Sequence, residues 1–462
     1  MSPATPLHSI CQAHHAVLIE ETAFVLRIAA SKPPGRRLFM ALEAVSDKKI
    51  EIEIWSDRRL AQWSEDDDSP YTAPTPPEAL ASVLQDTFEA AIEQRASDIH
   101  FEPGAEALRI RLRIDGTLQS RPLLPLSCAA QISARLKVMA NLDIAEKRLP
   151  QDGQLDYQHN QRQVSFRLST LPCRYGEKLV LRLLHPVQQG MDIAALGMPE
   201  PEVAQLHAAL SAPQGLILVT GPTGSGKTQT LYSALTLLNQ SERNVCTVED
   251  PIEMPLAGLN QTQLHPKAGL TYQTILRALL RQDPDVIMLG EIRDNETAGI
   301  ALKAALTGHL VLSTLHTHST PGTLTRLAQM QIPPWMLATS LNLIIAQRLV
   351  KKLCIFCKQP AGHPLNLAPH HWPRALNHWQ PVGCTHCFAG YFERTGLFEL
   401  LPLTTSIRRL IVEGKSEETI ESAARQAGMK TLFENGCLAV EQGLTSMAEV
   451  YRVLGRPHDS PV

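Results

Sequence analysis

Residues 215–228 read GLILVTGPTGSGKT. Gly215-Leu-Ile-Leu-Val-Thr220 is an apolar run of strand length, and Gln229-Thr-Leu-Tyr-Ser-Ala-Leu235 after it is compatible with a helix. Between them stand Gly221, Pro222, Thr223, Gly224, Ser225, Gly226, Lys227 and Thr228. Strand, glycine-rich turn and helix in that order make a phosphate cradle. The glycines let backbone N–H groups approach the oxygens, and the helix N-terminus adds positive potential. Lys227 can reach the β- and γ-phosphates and Thr228 can ligate Mg²⁺. The stretch predicts an α/β core that binds a nucleotide, with ATP and Mg²⁺ as its ligands. It does not say what work hydrolysis performs.

The sequence around this motif continues the pattern. From about residue 190, short apolar strands alternate with helices, the sequence form of a parallel sheet. Asp285-Val-Ile-Met-Leu-Gly-Glu291 is an apolar strand ending in a carboxylate. Gly290 stands where many nucleotide hydrolases place an aspartate, so Glu291 is the expected metal-linked group and Asp285 a cap for the strand. Thr247-Val-Glu-Asp-Pro-Ile-Glu253 supplies a second acidic cluster, in which Glu253 or Glu249 could orient attacking water as a general base. Such a cluster in isolation is more often a solvated loop. In Thr307-Gly-His-Leu-Val-Leu-Ser-Thr-Leu-His-Thr317, His309 and His316 bracket a short apolar strand. Their seven-residue spacing is no metal signature. Following the cradle and two carboxylate elements in order, they are expected as γ-phosphate sensors or as links between the sheet and a neighbouring subunit.

Four of the nine cysteines form two close pairs, Cys354-Ile-Phe-Cys357 and Cys384-Thr-His-Cys387, separated by 26 residues. That spacing is zinc-ribbon-like, and four thiolates close a tetrahedral shell, so a structural Zn²⁺ is expected. A pair of redox motifs is the competing reading, but neither pair precedes the helix of a thioredoxin-like unit. The other five, Cys11, Cys128, Cys173, Cys246 and Cys437, are scattered, and an odd total argues against a disulfide framework.

Composition bounds the rest. The chain has 462 residues, 44% of them hydrophobic, enough for several ordinary cores. Net charge is −3, which gives no global basic field, and no nucleic-acid partner is expected. No apolar run approaches the roughly 18–20 residues of a membrane span, and the start lacks a signal-peptide pattern, so a cytoplasmic location is expected. The expected organisation is a small docking module at 1–63 and an acidic, proline-rich linker at 64–77. An α+β domain follows at 78–187, then the ATPase core at 188–403, which includes the tetracysteine element 354–387, and a helical part at 404–462. In the α+β domain, Leu108-Arg-Ile-Arg-Leu-Arg-Ile114 alternates and then turns at Asp115-Gly116, placing Arg109, Arg111 and Arg113 on one face. Arg167 and Arg182 sit on two later strands. A solvated face is the commoner meaning of such a pattern; arginines reaching bound phosphates are the sharper one.

The ordered set GPTGSGKT, TVEDPIE, DPDVIMLGEIRD, TGHLVLSTLHT and the tetracysteine resembles the secretion ATPases of type II secretion and type IV pilus assembly. Supporting stretches are Ala96-Ser-Asp-Ile-His-Phe-Glu-Pro103, Arg148-Leu-Pro-Gln-Asp-Gly153, Gly176-Glu-Lys178, Gln347-Arg-Leu-Val350 and Arg394-Thr-Gly-Leu-Phe-Glu399. The resemblance covers roughly residues 78 to 455 and is closest to the short assembly-ATPase homologues of enteric bacteria. It implies a homohexameric ring of RecA-like P-loop domains, each preceded by a smaller α+β domain, with a zinc-binding insertion and a helical C-terminal part. By the resemblance, Glu253 is the catalytic glutamate and Glu291 the Walker B carboxylate. Arg109, Arg113, Arg167 and Arg182 would help close the nucleotide site. The implied partner is a polytopic inner-membrane platform protein, and the N-terminal module could contact a membrane-anchored adaptor. The repeated pattern that binds cyclic di-GMP in some relatives is missing, so that regulation is not expected. Rival expectations are a retraction motor, a nucleic-acid translocase on the same core, and a scaffold that binds nucleotide without turnover.

Overall fold

The structure is a computed structural model and describes residues 7, 10–11, 16–21, 25–30, 36–43, 45–46, 48–55, 77–160, 162–184 and 192–456. The expected linker lies outside the described residues except for Pro77, as do 188–191 at the expected start of the core. In the N-terminal region, β1 (Ala16–Glu21) pairs antiparallel with β2 (Val25–Ala30), and β2 pairs parallel with β3 (Lys49–Ile54). The parallel pair needs a crossover, supplied by α1 (Arg36–Glu43), whose Leu38 and Leu42 pack on Leu26 and Ile28.

A second unit opens with α2 (Pro77–Glu93), in which Leu80, Leu84, Phe88 and Ala91 are buried at helical spacing. Next come β4 (Ala96–Pro103), β5 (Ala107–Ile114), β6 (Thr117–Ser120), β7 (Leu124–Pro125), α3 (Ser127–Met139), β8 (Gln151–His159), β9 (Arg162–Cys173) and β10 (Gly176–Leu184). The sheet runs β6-β5-β4-β10-β9-β8, with β7 beside β5. Asp115 and Gly116 both take positive φ, which the tight turn between β5 and β6 requires. One sheet face, including Ile99, Phe101, Ile110, Leu112, Phe166 and Leu168, is buried against α2 and α3. The opposite face carries the arginines.

The third unit holds α4 (Glu200–Leu210), β11 (Gly215–Thr220), α5 (Lys227–Leu238), β12 (Val245–Glu249), β13 (Asn260–Gln263), α6 (Tyr272–Leu279), β14 (Val286–Leu289), α7 (Asn295–Leu306), β15 (Leu310–Leu315), α8 (Thr320–Gln329), α9 (Pro334–Ser340) and β16 (Leu341–Leu353). After two short strands, β17 (Gln359–Pro360) and β18 (Trp379–Gln380), β19 (Tyr391–Pro402) returns to the sheet, whose order is β13-β12-β14-β15-β11-β16-β19. All pairings are parallel except β16 with β19. Strands β11, β12, β14 and β15 are buried at every position because both faces are covered. On one side Leu206, Leu231 and Leu235 pack on Ile217 and Val219; on the other Leu276, Ala301, Leu302 and Leu327 pack on Leu218 and Val248.

Four helices end the chain: α10 (Thr405–Val412), α11 (Glu417–Gln426), α12 (Leu432–Glu441) and α13 (Met447–Leu454). Each begins at a serine or threonine, Thr404, Ser416, Thr431 and Ser446, whose side chain accepts a backbone N–H of the first turn. The second and third units touch where the Arg95 guanidinium lies 3.9 Å from the Phe392 ring centre and 3.2 Å from Glu393.

Glu399 on β19 binds two helix starts at once. Its buried carboxylate accepts the Thr320 N–H at 2.8 Å, the Thr320 hydroxyl at 2.7 Å and the Leu432 N–H at 3.1 Å. Glu399→Ala strands three buried donors and is expected to destabilise the protein by about 2–4 kcal/mol, read as a lower urea midpoint. An unchanged midpoint would show that the two helix starts do not depend on this carboxylate.

Candidate nucleotide site and tetracysteine centre

The phosphate cradle is built by close backbone approach. Gly221 has φ 152 and Gly226 φ 87. A Cβ at Gly221 would stand 2.5 Å from the Gln347 carbonyl and 2.6 Å from Ser225 Oγ, and one at Gly226 would stand 2.8 Å from Gln347 Nε2. Only glycine fits at either position. Lys227, the first residue of α5, is buried and donates to the Gly221 and Pro222 carbonyls at 2.9 and 3.0 Å. Burial lowers its pKa; the Glu291 charge opposes the shift and Arg348 adds to it. Ser225 Oγ is buried without a hydrogen-bond partner, as befits a hydroxyl in a cradle for phosphate oxygens.

Gln347 and Arg348 support the cradle from β16, two buried polar residues between the apolar stretches 343–346 and 349–350. Gln347 Oε1 accepts the Thr230 hydroxyl at 2.7 Å, fixing the first turn of α5. Arg348 donates to the Gln347 carbonyl and, at 2.9 Å, to the His318 carbonyl. Thr220 Oγ1 accepts the Thr317 N–H at 2.9 Å, so the ends of β11 and β15 are joined. In the sequence these two residues stand only inside the Gln347-Arg-Leu-Val350 stretch, and the local signal for a role is a polar pair between the apolar residues 343–346 and 349–350.

The parallel register brings the carboxyl ends of β11, β14 and β15 together, pairing Thr220 with Leu315 and Leu289 with Ser313. Glu291 and His316 lie just beyond, with His316 Nε2 3.4 Å from Glu291 Oε2. Arg293 is ion-paired to Glu291 and stands 3.5 Å from Asp250. Gly290 is small for a reason: a Cβ there would meet the Tyr272 hydroxyl at 3.0 Å. His309 sits at the opposite end of β15, where its Nδ1 is 3.0 Å from the Ala304 carbonyl. A six-residue strand spans about 20 Å, so within one chain His309 is not brought to the phosphate edge.

The two glutamates of the acidic cluster differ in their surroundings. Glu249 is buried and its carboxylate accepts from Tyr232, from Thr247 Oγ1 at 2.5 Å and from Gln261 Nε2 at 3.1 Å. Glu253 is exposed in this single chain, and no protein donor among the described residues hydrogen-bonds its carboxylate. Lost hydration raises the Glu253 pKa; Arg182 and Arg167 work against the shift and Glu249 with it.

Those two arginines come from the polar face of the preceding sheet. The register aligns Arg113, Asp98, Arg182 and Arg167 across four strands. Asp98 holds Arg182 at 3.0 Å and Arg113 at 3.5 Å, and Arg167 lies 3.8 Å from Asp152. Arg109 is four residues from Arg113 along β5, about 13 Å away, opposite Glu102. Arg182 and Arg167 are near enough for their charge to act on the Glu253 carboxylate, while Arg109 belongs to a separate part of the face.

The four cysteines converge. All Sγ atoms lie within 4.8 Å of one another, with pairs at 3.8 Å (Cys354–Cys384), 3.7 Å (Cys357–Cys387) and 3.6 Å (Cys384–Cys387). A Zn–S bond of about 2.3 Å in a tetrahedron gives S···S edges of about 3.8 Å, so the donor set fits Zn²⁺. Backbone N–H groups of Gly383 and Cys384 point at Cys357 and Cys387 sulfurs, each at 3.3 Å, as thiolates require. The cluster stands at the mouth of the β16–β19 hairpin, and Trp372 and Leu376 of the insertion pack on Cys437, Val440 and Val450 of the last helices. For Mg²⁺, Thr228 and Glu291 offer the hydroxyl and carboxylate oxygens that a hard cation takes together with phosphates. Among the described residues no helix is long and apolar enough to cross a membrane.

Residues 76–452 match the family described as Type II/IV secretion system protein. The chain is 54% identical over 459 residues to the protein transport protein HofB homolog of Escherichia coli strain K12, covering 98% of each. It is 48% identical over 369 residues to the type IV pilus assembly ATPase PilB of Pseudomonas aeruginosa, which is 79% of this chain and 65% of that one. Among solved structures, the pilus retraction motor PilT with bound ADP is similar at 28% identity and a TM-score of 0.54, over 81% of this chain and 97% of PilT. The tetracysteine geometry predicts about one zinc per purified chain by elemental analysis. Cys384→Ser is expected to lower that content and loosen the packing of Trp372, read as changed tryptophan fluorescence; a folded preparation free of metal would defeat the assignment.

Proposed function

The chain belongs to the type II/IV secretion system protein family, and from that premise we propose that it is an ATP-hydrolysing motor that drives assembly of a type IV pilus or a secretion pseudopilus. It works as a homohexamer at the cytoplasmic face of the inner membrane, against a polytopic platform protein, with the N-terminal module available to a membrane-anchored adaptor. The observation that carries this reading is the meeting of Lys227, Glu291 and His316 at one sheet edge, with Arg182 and Arg167 of the preceding sheet near enough for their charge to act on Glu253.

Each side chain has a task in that reading. Gly221 to Thr228 hold the phosphates, and Lys227 releases the Gly221 and Pro222 carbonyls to meet them. Magnesium, when bound with the nucleotide, would supply positive charge to offset that of the phosphates. Thr228 and Glu291 would hold it. Glu253 takes a proton from the attacking water, for which its free carboxylate and raised pKa suit it. His316 beside Glu291 senses the γ-phosphate, and Arg182 and Arg167 compensate charge from the preceding sheet. Movement of that sheet against the core is the mechanical stroke. The likeness to PilT favours a second reading, the same motor run in retraction. The tetracysteine element, which retraction motors of this superfamily generally lack, weighs for assembly.

Lys227→Ala is expected to abolish nucleotide binding, whereas Glu291→Gln keeps binding and stops hydrolysis; wild-type ATPase rates in Glu291→Gln would remove Glu291 from the mechanism. Cross-linked capture of the Glu291→Gln protein from native cells is expected to recover a polytopic membrane protein with pilin-like subunits. Recovery of nucleic acid or soluble proteins alone would reject the motor reading. The acidic limb of the kcat–pH profile should lie above the roughly 4.3 of a free glutamate, because the base must be ionised and its pKa is raised. Arg182→Gln removes a favourable charge and moves that limb up; Glu249→Gln removes a repulsive one and moves it down. A limb unmoved in both variants would assign the base to another group.

A further inference from the structure

The loop carrying Glu253 is fastened at both ends by one side chain, Gln261 on β13. Gln261 Nε2 donates to Glu249 Oε1 at 3.1 Å and to the Met254 carbonyl at 3.0 Å, and its Oε1 accepts the Leu256 N–H at 2.7 Å. The loop is thus gripped immediately before Asp250 and immediately after Glu253. Glu249 in turn accepts the hydroxyl of Tyr232, a fully buried residue of α5 five positions past Lys227. One unbroken series of hydrogen bonds joins the helix that starts at the phosphate cradle to both sides of the loop that presents Glu253.

We propose that Tyr232, Glu249 and Gln261 form a positioning relay that fixes the Glu253 loop to the P-loop helix, so that Glu253 is held in one register to the phosphate cradle. The inference rests on Glu253 being the base. It also gives Glu249 a different task from that of its neighbour. Three protein donors occupy the buried Glu249 carboxylate, two on Oε1 from Thr247 and Gln261 and one on Oε2 from Tyr232, so three of its four lone-pair positions are committed to structural bonds. None of the three is a catalytic residue. Tyr232 and Glu249 are buried behind the cradle, and Gln261 acts through the backbone of Met254 and Leu256.

Geometry explains why the relay should be felt in turnover rather than in binding. The cradle is made by residues 221–228 and is supported separately by Gln347 and Arg348. Loosening the 250–259 loop leaves those contacts intact and changes only where Glu253 points. A displacement of about 1 Å at the reacting centre costs on the order of 100-fold in rate.

The test compares Tyr232→Phe, Gln261→Asn, their double variant and Glu253→Gln in the full chain, by ATPase kcat and KM, affinity for a fluorescent ATP analogue, and thermal midpoint. Tyr232→Phe keeps the ring and loses the hydroxyl; Gln261→Asn keeps the amide and withdraws its reach. Each single variant is expected to lower kcat at least about tenfold with affinity changed less than about threefold, and the double to lose little more than the worse single, as members of one unit do. Rates within about twofold of wild type in both singles, with Glu253→Gln inactive, would overturn the relay and leave Glu253 as the base. Equal losses of affinity and rate would also overturn it, since that pattern marks damage to the cradle. Wild-type activity in Glu253→Gln would sink the reading of the base and the relay with it. If Tyr232→Phe does not fold, Gln261→Asn and Gln261→Glu, at a half-buried position, carry the test; Gln261→Glu removes both donated bonds and sets a like charge beside Glu249.

Discussion

A parallel sheet buried on both faces has no solvent-facing surface on which to put chemistry, and the rest of this protein depends on that constraint. The strands β11, β12, β14 and β15 have no exposed position, so polar groups can stand only where strands end. Because the strands are parallel, their carboxyl ends share one edge. Lys227, Glu291, His316 and the Glu249–Glu253 segment come from stretches far apart in sequence, yet each follows a strand and so arrives at the same place. His309 precedes its strand and by the same rule is delivered to the other edge.

The buried polar groups of the core do not contradict this arrangement. Glu249, Gln347, Arg348 and Glu399 are each buried, and the side chain of each is hydrogen-bonded to a group on another element. Each also joins two elements that packing alone would leave free to slide: α5 to β12, α5 to β16, β16 to the loop after β15, and β19 to α8 and α12. Apolar contacts set which layers meet; these bonds set the register at which they meet. In a motor such fixed points decide which parts move as rigid bodies.

The two other units attach to this core through different chemistry. The tetracysteine closes the open end of the β16–β19 hairpin and anchors an insertion on which the last helices pack. The α+β sheet instead offers a polar face, on which Asp98 stands between Arg113 and Arg182 and pairs with both. Its contact with the core at Arg95, Phe392 and Glu393 is a partly exposed ion pair and cation–π stack.

Local rules made much of this legible in the chain. The GPTGSGKT turn needs glycines wherever it occurs, the alternation in Leu108–Ile114 can only be a half-buried strand, and two CxxC pairs at that spacing make one tetrahedral shell. These patterns are set by neighbours a few residues apart, so the sequence alone determined an α/β core with a phosphate cradle, an arginine-bearing sheet and a tetracysteine centre. The residues alone left Glu249 and Glu253 as alternatives, since both are acids on the same short stretch, and only the resemblance put Glu253 first. The sequence alone could not show that His309 and His316 part company, that Arg109 stands apart from Arg167 and Arg182, or that Gln261, and Tyr232 through Glu249, hold the loop that carries Glu253. Those distinctions depend on which strand lies beside which and in what register, and residues such as Tyr232 and Gln261 carry no local signal because their partners are supplied by segments that meet only when the sheet has formed.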